Sequence, residues 1–405
     1  MTDYSPLSRT LTKSLGKSEK QDNGIYFTPP KTIRTILDVL HPHMGTVKKV
    51  LEPSCGSCEF ITAIREKYSD LQITGIEYNE TIYNSIKVMS SNNINIQHAD
   101  FLKYKDGTKY DLIIGNPPYF VMSKKDVSKD YYNYFDGRPN IFILFIIKSL
   151  GMLAKNGILS FVLPKNFLNC LYYEKTRKYI NDNFTILSII DCDDDYIETK
   201  QDTINIVIQN TSVTVNNEIN RQYVLNVNDY TIFGVPECIT EIKMLYDETS
   251  SLSDLGFSVC VGNVVWNQCK AILTDDISQT RLIYSSDIVG NSLTMKKYSN
   301  PEKKNYIHKQ GTNTPMLVVN RGYGVGNYKF DYCLIEGGFS YLIENHLICI
   351  KYDGKTTSKD ETISLYKKIM RSLENEKTIQ FIKLYFGNNA INTTELNHIL
   401  PIYDI

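Results

Sequence analysis

The chain has 405 residues, 42% of them hydrophobic and 22% charged, with a formal net charge of −1. That balance excludes a disordered or collagen-like protein and a uniformly basic nucleic-acid binder, while leaving room for a local basic face. The length calls for two domains.

Residues 1–24 are polar and are expected to be loosely ordered. Ile33, Ile36, Leu37 and Leu40 carry the apolar spacing of a helix over 32–40. Strand and helix patterns then alternate: strand 47–51, helix 60–67, strand 73–76, helix 80–89, strands 94–97 and 112–114, helix 141–153, strand 158–163 and helix 173–180. Two last strands, 186–190 and 204–208, stand too close in sequence for a helix between them. The alternation predicts a doubly wound α/β fold with a mostly parallel sheet and one antiparallel strand near its end. Ligands of such sheets bind outside the carboxyl ends of the strands, which directs attention to the loops after Leu51, Ile76, Gln97 and Ile114. Beyond 230–250 the alternation stops, and short strands, glycine loops and polar stretches follow. The expected domains are therefore 1–235 and a mixed α/β region over 236–405.

The longest apolar run, 141–147, ends at Lys148, far short of the roughly 20 residues that span a bilayer. No apolar core of a secretory signal stands in residues 1–30. An intracellular protein without a membrane partner is expected. Nine irregularly spaced cysteines do not form a disulfide framework. The pair Cys55 and Cys58 lacks the second pair that a zinc ribbon needs.

The first strand runs into Glu52-Pro53-Ser54-Cys55-Gly56-Ser57-Cys58, a small-residue turn that lets a ligand approach the backbone. Glu77, twenty-one residues after Gly56, ends the second strand, where an acid serves ribose hydroxyls. Asp100 and Phe101 end the third; a carboxylate accepts from an adenine amine and a ring stacks on the base. Three strand ends thus suit an adenosine. NAD and FAD are disfavoured, because the full GxGxxG is missing and no basic residue in the loop faces a pyrophosphate.

The fourth strand delivers Asn116-Pro117-Pro118-Tyr119. Two prolines fix φ and remove two N–H donors, so the segment presents carbonyl oxygens in a rigid shape. An exocyclic adenine amine is a poor nucleophile, because its lone pair is delocalised into the ring. The Asn116 side-chain oxygen and the Pro117 carbonyl can each accept one of its hydrogens, drawing the nitrogen toward tetrahedral geometry for attack on a sulfonium methyl. Tyr119 can stack on the base, which must leave the duplex to reach the site.

These motifs, in this order, resemble the DNA N6-adenine methyltransferases of the gamma class, of restriction-modification kind. The resemblance covers about the first 210 residues. It implies a Rossmann-like class I methyltransferase sheet followed by a target recognition domain, with S-adenosylmethionine as cofactor. The implied cofactor-binding residues are Thr28, within Tyr26-Phe27-Thr28-Pro29-Pro30, together with Glu52, Gly56, Glu77, Asp100, Phe101 and Asn116. The implied catalytic residues are Asn116, Pro117 and Tyr119, and Tyr119 and Tyr196 would hold the flipped base. Residues 140–145 and 157–169, including Pro164 and Lys165, resemble the motifs that follow. Segments 257–270, Phe386-Gly387-Asn388 and 394–401 resemble the opening and the end of such recognition domains. One departure is Cys58, where many relatives carry glycine. On this reading Cys55 and Cys58 lie in the cofactor turn and are expected to pack there rather than act as a redox pair.

Double-stranded DNA is then the expected partner, contacted through Lys124, Arg138, Lys165, Trp266, Asn267 and Arg321, the last opening the turn Gly322-Tyr323-Gly324-Val325-Gly326. Lys125, Lys129, Lys296, Lys297, Lys303, Lys304 and Lys309 are further basic candidates. No metal is expected, and the acidic run Asp193-Asp194-Asp195 is read as a solvated face. A monomer of bacterial or viral origin is anticipated, with any cognate restriction endonuclease a separate chain. Four other readings compete: methylation of adenine or guanine in RNA, protein-glutamine amide methylation, cytosine-N4 methylation, whose enzymes favour serine where Asn116 stands, and a non-catalytic DNA-binding specificity subunit. The long C-terminal region favours DNA, and intact Glu77, Asp100 and Asn116 favour an enzyme.

Overall fold

The computed structural model describes residues 4–192, 196, 201–211, 218–321, 331–355, 358–386 and 391–403. Packing divides the chain into two compact units, residues 1–240 and 241–405.

The first unit is built on seven strands: β1 (Lys49–Glu52), β2 (Gln72–Glu77), β3 (Ile94–His98), β4 (Tyr110–Gly115), β5 (Leu153–Pro164), β6 (Thr185–Cys192) and β7 (Thr203–Gln209). They form one sheet in the order β3-β2-β1-β4-β5-β7-β6. β1 to β5 pair in parallel, and β7 lies antiparallel between β5 and β6. The fold class and the antiparallel strand near the sheet's end are as the sequence predicts. Strand β4 explains the apolar run at its centre: Ile113 packs into the core on one face of the sheet, and Leu112 and Ile114 pack into the core on the other. The strand order reverses between β1 and β4, so the loops leaving these strands part and open a crevice at their carboxyl ends.

Among the described residues, helices α1 (Pro6–Ser14), α2 (Lys17–Asn23), α3 (Pro30–Leu40), α4 (Glu59–Lys67), α5 (Glu80–Ile86), α6 (Ile141–Met152) and α7 (Glu174–Asn183) accompany this sheet. A hairpin of β8 (Val224–Val227) and β9 (Tyr230–Phe233) follows, then α8 (Pro236–Leu245). Helix α6 is apolar almost all round, with residues 141–146 all buried; such a helix belongs inside, not on a surface. The polar residues before position 24, expected to be loosely ordered, instead form α1 and α2. Ser5 caps α1 by accepting the Ser8 N–H, and Gly24 ends α2 at φ +62°. Ser8, Leu11, Leu15 and Lys20 are buried, too few apolar contacts to show as a period. Helix α5 stops at Ile86 and finishes as a 3-10 turn, shorter than the 80–89 pattern.

Among its described residues the second unit holds ten short strands: β10 (Phe257–Val261), β11 (Leu273–Thr274), β12 (Thr280–Ile283), β13 (Ile288–Val289), β14 (Ser292–Leu293), β15 (Tyr306–Ile307), β16 (Met316–Asn320), β17 (Tyr332–Ile335), β18 (Tyr341–Ile343) and β19 (Leu347–Tyr352). One antiparallel sheet runs β10-β19-β16-β17, a second runs β11-β15-β12-β18, and β13 pairs with β14. Helices α9 (Lys359–Glu374) and α10 (Glu376–Tyr385) follow. No helix among the described residues is long and apolar enough to cross a membrane.

Candidate active site

The crevice at β1 and β4 starts with the turn after β1. Cys55 N–H donates to the Ile76 carbonyl (2.9 Å) and Cys58 N–H to the Cys55 carbonyl (2.7 Å). Gly56 takes φ +50° and Cys58 φ +61°. The left-handed conformation at Cys58 is one that glycine adopts freely and other residues adopt at some cost. Here a thiol fills that position, and both Cys55 and Cys58 are buried in the core under β1, which agrees with a packing role.

Glu77, only 7% exposed, stands at the end of β2. Its two carboxylate oxygens accept the N–H of Gly56 (2.9 Å) and of Asn79 (2.7 Å). Burial raises its pKa above the ordinary carboxylate value, and the N–H bonds from Asn79 and Gly56 oppose that. A carboxylate has about four acceptor positions, so two remain for a pair of hydroxyls. Asn79 caps α5 by accepting the Ile82 N–H (3.0 Å) and donates its amide to Glu19 of α2 (2.9 Å). Asp100 follows β3 and accepts the Leu102 N–H (2.9 Å). Phe101 beside it packs on Phe145 of α6, ring centres 4.9 Å apart.

These groups border a cavity of about 360 Å³ whose lining includes Gly56, Glu77, Asp100, Phe101 and Asn116. Glu52 is 3% exposed, and its Oε2 has no hydrogen-bond partner among the described residues. Burial, with Cys58 and Glu77 nearby, pushes its carboxyl well above the usual range. The residues lining the cavity fit S-adenosylmethionine: a glycine at the close approach, a carboxylate with two open acceptor positions, and an acid and a ring for a purine.

Beyond Gly115 the chain enters the Asn-Pro-Pro-Tyr segment. A side chain at Gly115 would meet Glu52 at 3.4 Å. The Asn116 amide is held from several sides. Its Nδ2 donates to the Tyr26 carbonyl (3.2 Å), its main-chain carbonyl accepts from Ser54 (3.2 Å), and its Oδ1 accepts from the Tyr119 hydroxyl (2.5 Å). That hydroxyl also lies 2.8 Å from the Val162 carbonyl of β5, and the Tyr119 ring meets Phe142 edge-on at 5.9 Å. Burial, with Tyr196 and Cys192 alongside, holds the Tyr119 phenol well above its ordinary pKa. Gly24 presses against this loop: a β-carbon there would sit 2.5 Å from the Tyr119 nitrogen.

Of the residues singled out from sequence, Gly56, Glu77, Asp100, Phe101 and Asn116 thus share one cavity wall. Thr28, Glu52, Pro117 and Tyr196 are buried and are not among its lining residues, and Tyr119 is turned toward β5. Lys124 lies over the Tyr132 ring at 4.7 Å, Arg138 is exposed, and Lys165 pairs with Asp191 at 2.7 Å. In the second unit, the ammonium groups of Lys270 and Lys303 lie 5.9 and 5.7 Å from the Trp266 ring, Asn267 is exposed, and Arg321 is half-buried. Residues 322–326, Asp193 to Asp195, Gly387 and Asn388 fall outside the described residues. No cluster of three or more His, Cys, Asp or Glu suited to a metal occurs among the described residues. Sequence reasoning missed Ser54, Asn79 and Glu19 as supports; only the cap position of Asn79 before α5 was readable as a signal.

Residues 14–197 match the model of the Eco57I restriction-modification methylase family. The chain is 27% identical over 410 residues, 99% of each chain, to the modification methylase CviBIII of Paramecium bursaria Chlorella virus NC1A. It is 25% identical over 402 residues to the Type II methyltransferase M.CvrRI of Paramecium bursaria Chlorella virus XZ-6E, covering 96% of this chain and 97% of that one. Among solved structures, the DrdV–DNA complex is similar in fold with a TM-score of 0.51, at 12% identity over 95% of this chain and 57% of that one. Over residues 14–197 the chain is thus similar to the Eco57I restriction-modification methylases, and over nearly its whole length to viral modification methylases.

Proposed function

We propose that this chain is an S-adenosylmethionine-dependent DNA methyltransferase that modifies the N6 amine of an adenine rotated out of duplex DNA at a short recognition sequence. The observation that carries the reading is the Asn116-Pro117-Pro118-Tyr119 segment at the carboxyl end of β4, with Asn116 on the wall of the cavity that Glu77 and Asp100 also line. Glu77 would hold the ribose hydroxyls, Asp100 and Phe101 the purine of the cofactor, and Thr28, Glu52 and Gly56 would complete its site. S-adenosylmethionine, when bound, supplies a methyl carbon made electrophilic by a sulfonium.

The chain's own part is positioning and electrostatics. The Asn116 Oδ1 and the Pro117 carbonyl accept the two amine hydrogens and localise the lone pair on nitrogen. The Tyr26 carbonyl, by accepting from Asn116 Nδ2, fixes the orientation of the side-chain amide. Tyr119 and Tyr196 would sandwich the flipped base. For this Tyr119 would turn away from β5 and give up its hydrogen bond to Asn116, which leaves both lone pairs of that oxygen open.

The second unit would serve as the target recognition domain, with Trp266, Asn267 and Arg321 meeting DNA there, and Lys124, Arg138 and Lys165 meeting it on the first unit. One chain then holds both functions, so a monomer suffices, and a restriction endonuclease for the same site would be a separate chain.

Expression in a host lacking adenine methylation, followed by native-DNA sequencing with modification detection, tests the reading. N6-methyladenine at one recurrent site supports it. Unmodified DNA from protein that binds the cofactor moves the assignment to RNA or a protein amide.

A further inference from the structure

Helix α6 carries one cation in an otherwise apolar sequence, Lys148 between Ile147 and Ser149. Its ammonium donates to the main-chain carbonyls of Phe101 (2.5 Å) and Tyr104 (2.7 Å) and lies 4.9 Å from the Phe101 ring centre. Both carbonyls belong to the tight turn after β3, in which the N–H groups of Lys103 and Tyr104 return to the Asp100 carbonyl. This turn gives the cavity four consecutive lining residues, Ala99 to Leu102, while α6 gives it Ile141 and Phe145. Phe145 and Lys148 are three residues apart and share a helix face. Lys148 therefore fastens two cavity walls together from behind. Burial depresses its pKa, and Asp100 partly offsets that.

We propose that Lys148 is a positioning residue for the cofactor's adenine: it fixes the turn that bears Asp100 and Phe101 against α6 without touching the cofactor itself. The inference rests on the reading of this cavity as the S-adenosylmethionine site. Removing two charge-assisted hydrogen bonds would loosen the wall that meets the purine and leave the sulfonium end and the Asn116 loop unaltered.

The test is calorimetric binding of S-adenosylhomocysteine and of 5′-methylthioadenosine, which lacks the amino-acid tail, to wild type, Lys148→Met and Lys148→Arg. Lys148→Met is expected to bind both ligands about tenfold more weakly, and Lys148→Arg, which keeps donors, within about threefold of wild type. With unmethylated genomic DNA as substrate, KM for S-adenosylmethionine should rise in Lys148→Met while kcat holds, a split that general destabilisation would not produce. Wild-type affinity in Lys148→Met, or a fall in kcat with KM unchanged, overturns the proposal. A wild-type protein that binds neither ligand overturns the cavity assignment itself. Should Lys148→Met not fold, Lys148→Gln, which keeps an amide donor on a shorter stem, decides: weaker binding of both ligands supports the role, and wild-type affinity for both refutes it.

Discussion

Replacing Glu77 by glutamine probes the ribose assignment with almost no change in shape. The carboxylate accepts the N–H groups of Gly56 and Asn79, one on each oxygen, and keeps an open acceptor position on each. Glutamine offers one oxygen, and its NH2 group then faces one of those N–H donors. At least one hydrogen bond from a ribose hydroxyl to a charged acceptor is lost, a net of about 1.5–3 kcal/mol, or about ten- to a hundredfold in dissociation constant. Isothermal titration calorimetry with S-adenosylhomocysteine reads this directly. The pH dependence gives a second arm. Because burial raises the Glu77 pKa, the free protein takes up this proton at a higher pH than an ordinary glutamate does. Hydroxyls donate to the carboxylate form, so wild-type affinity is full above that raised pKa and falls as pH drops through it, whereas Glu77→Gln lacks that component. A Glu77→Gln protein binding within twofold of wild type would refute the reasoning.

Asn116→Ala removes a preorganised acceptor and should lower the methylation rate by about 10²–10³-fold or more while cofactor affinity in calorimetry stays near wild type; lost cofactor binding would contradict the role. Tyr119→Phe keeps the stacking ring and removes the hydroxyl that lies against Asn116 and Val162. Methylation should persist, at a stability cost of about 1 kcal/mol by thermal denaturation, and an inactive but folded variant would show that the hydroxyl has a direct part in transfer. Glu52 has a folded-state pKa raised well above its unfolded value, so its charge costs stability as pH rises from the unfolded pKa toward the folded one, and costs nothing below both. Glu52→Gln should therefore raise Tm at pH 8 and leave it nearly unchanged near pH 4; a gain confined to low pH would reverse this sign.

The strand-end residues were legible because each sits where a run of apolar residues stops, and a doubly wound sheet brings all such ends to one edge. Gly56, Glu77, Asp100 and Asn116 needed no knowledge of helix packing to be grouped. The supports of Asn116 were not legible in the same way. Its contact with the Tyr26 carbonyl spans 90 residues and uses a main-chain atom, which leaves no trace in residue identity. Helices α1 and α2 were hidden because they bury few apolar side chains, among them Leu11. Lys148 was visible only as the end of an apolar run; that its stem crosses to the turn after β3 depends on how α6 packs. In the second unit, strands of two to six residues are too short to show an alternation.

The clasp between Asn116 and the segment around Tyr26 has a consequence for how the enzyme can be divided. Residues 4–29 add no strand to the seven-stranded sheet, yet Gly24 abuts Tyr119 and the Tyr26 carbonyl accepts from the Asn116 amide, the proposed acceptor for the substrate amine. A chain cut near Pro29 would keep the sheet's strands and lose the group that turns Asn116. The break would separate assembly from chemistry: the larger piece could fold and stay silent, and the short piece, supplied as a free peptide, would act as its switch.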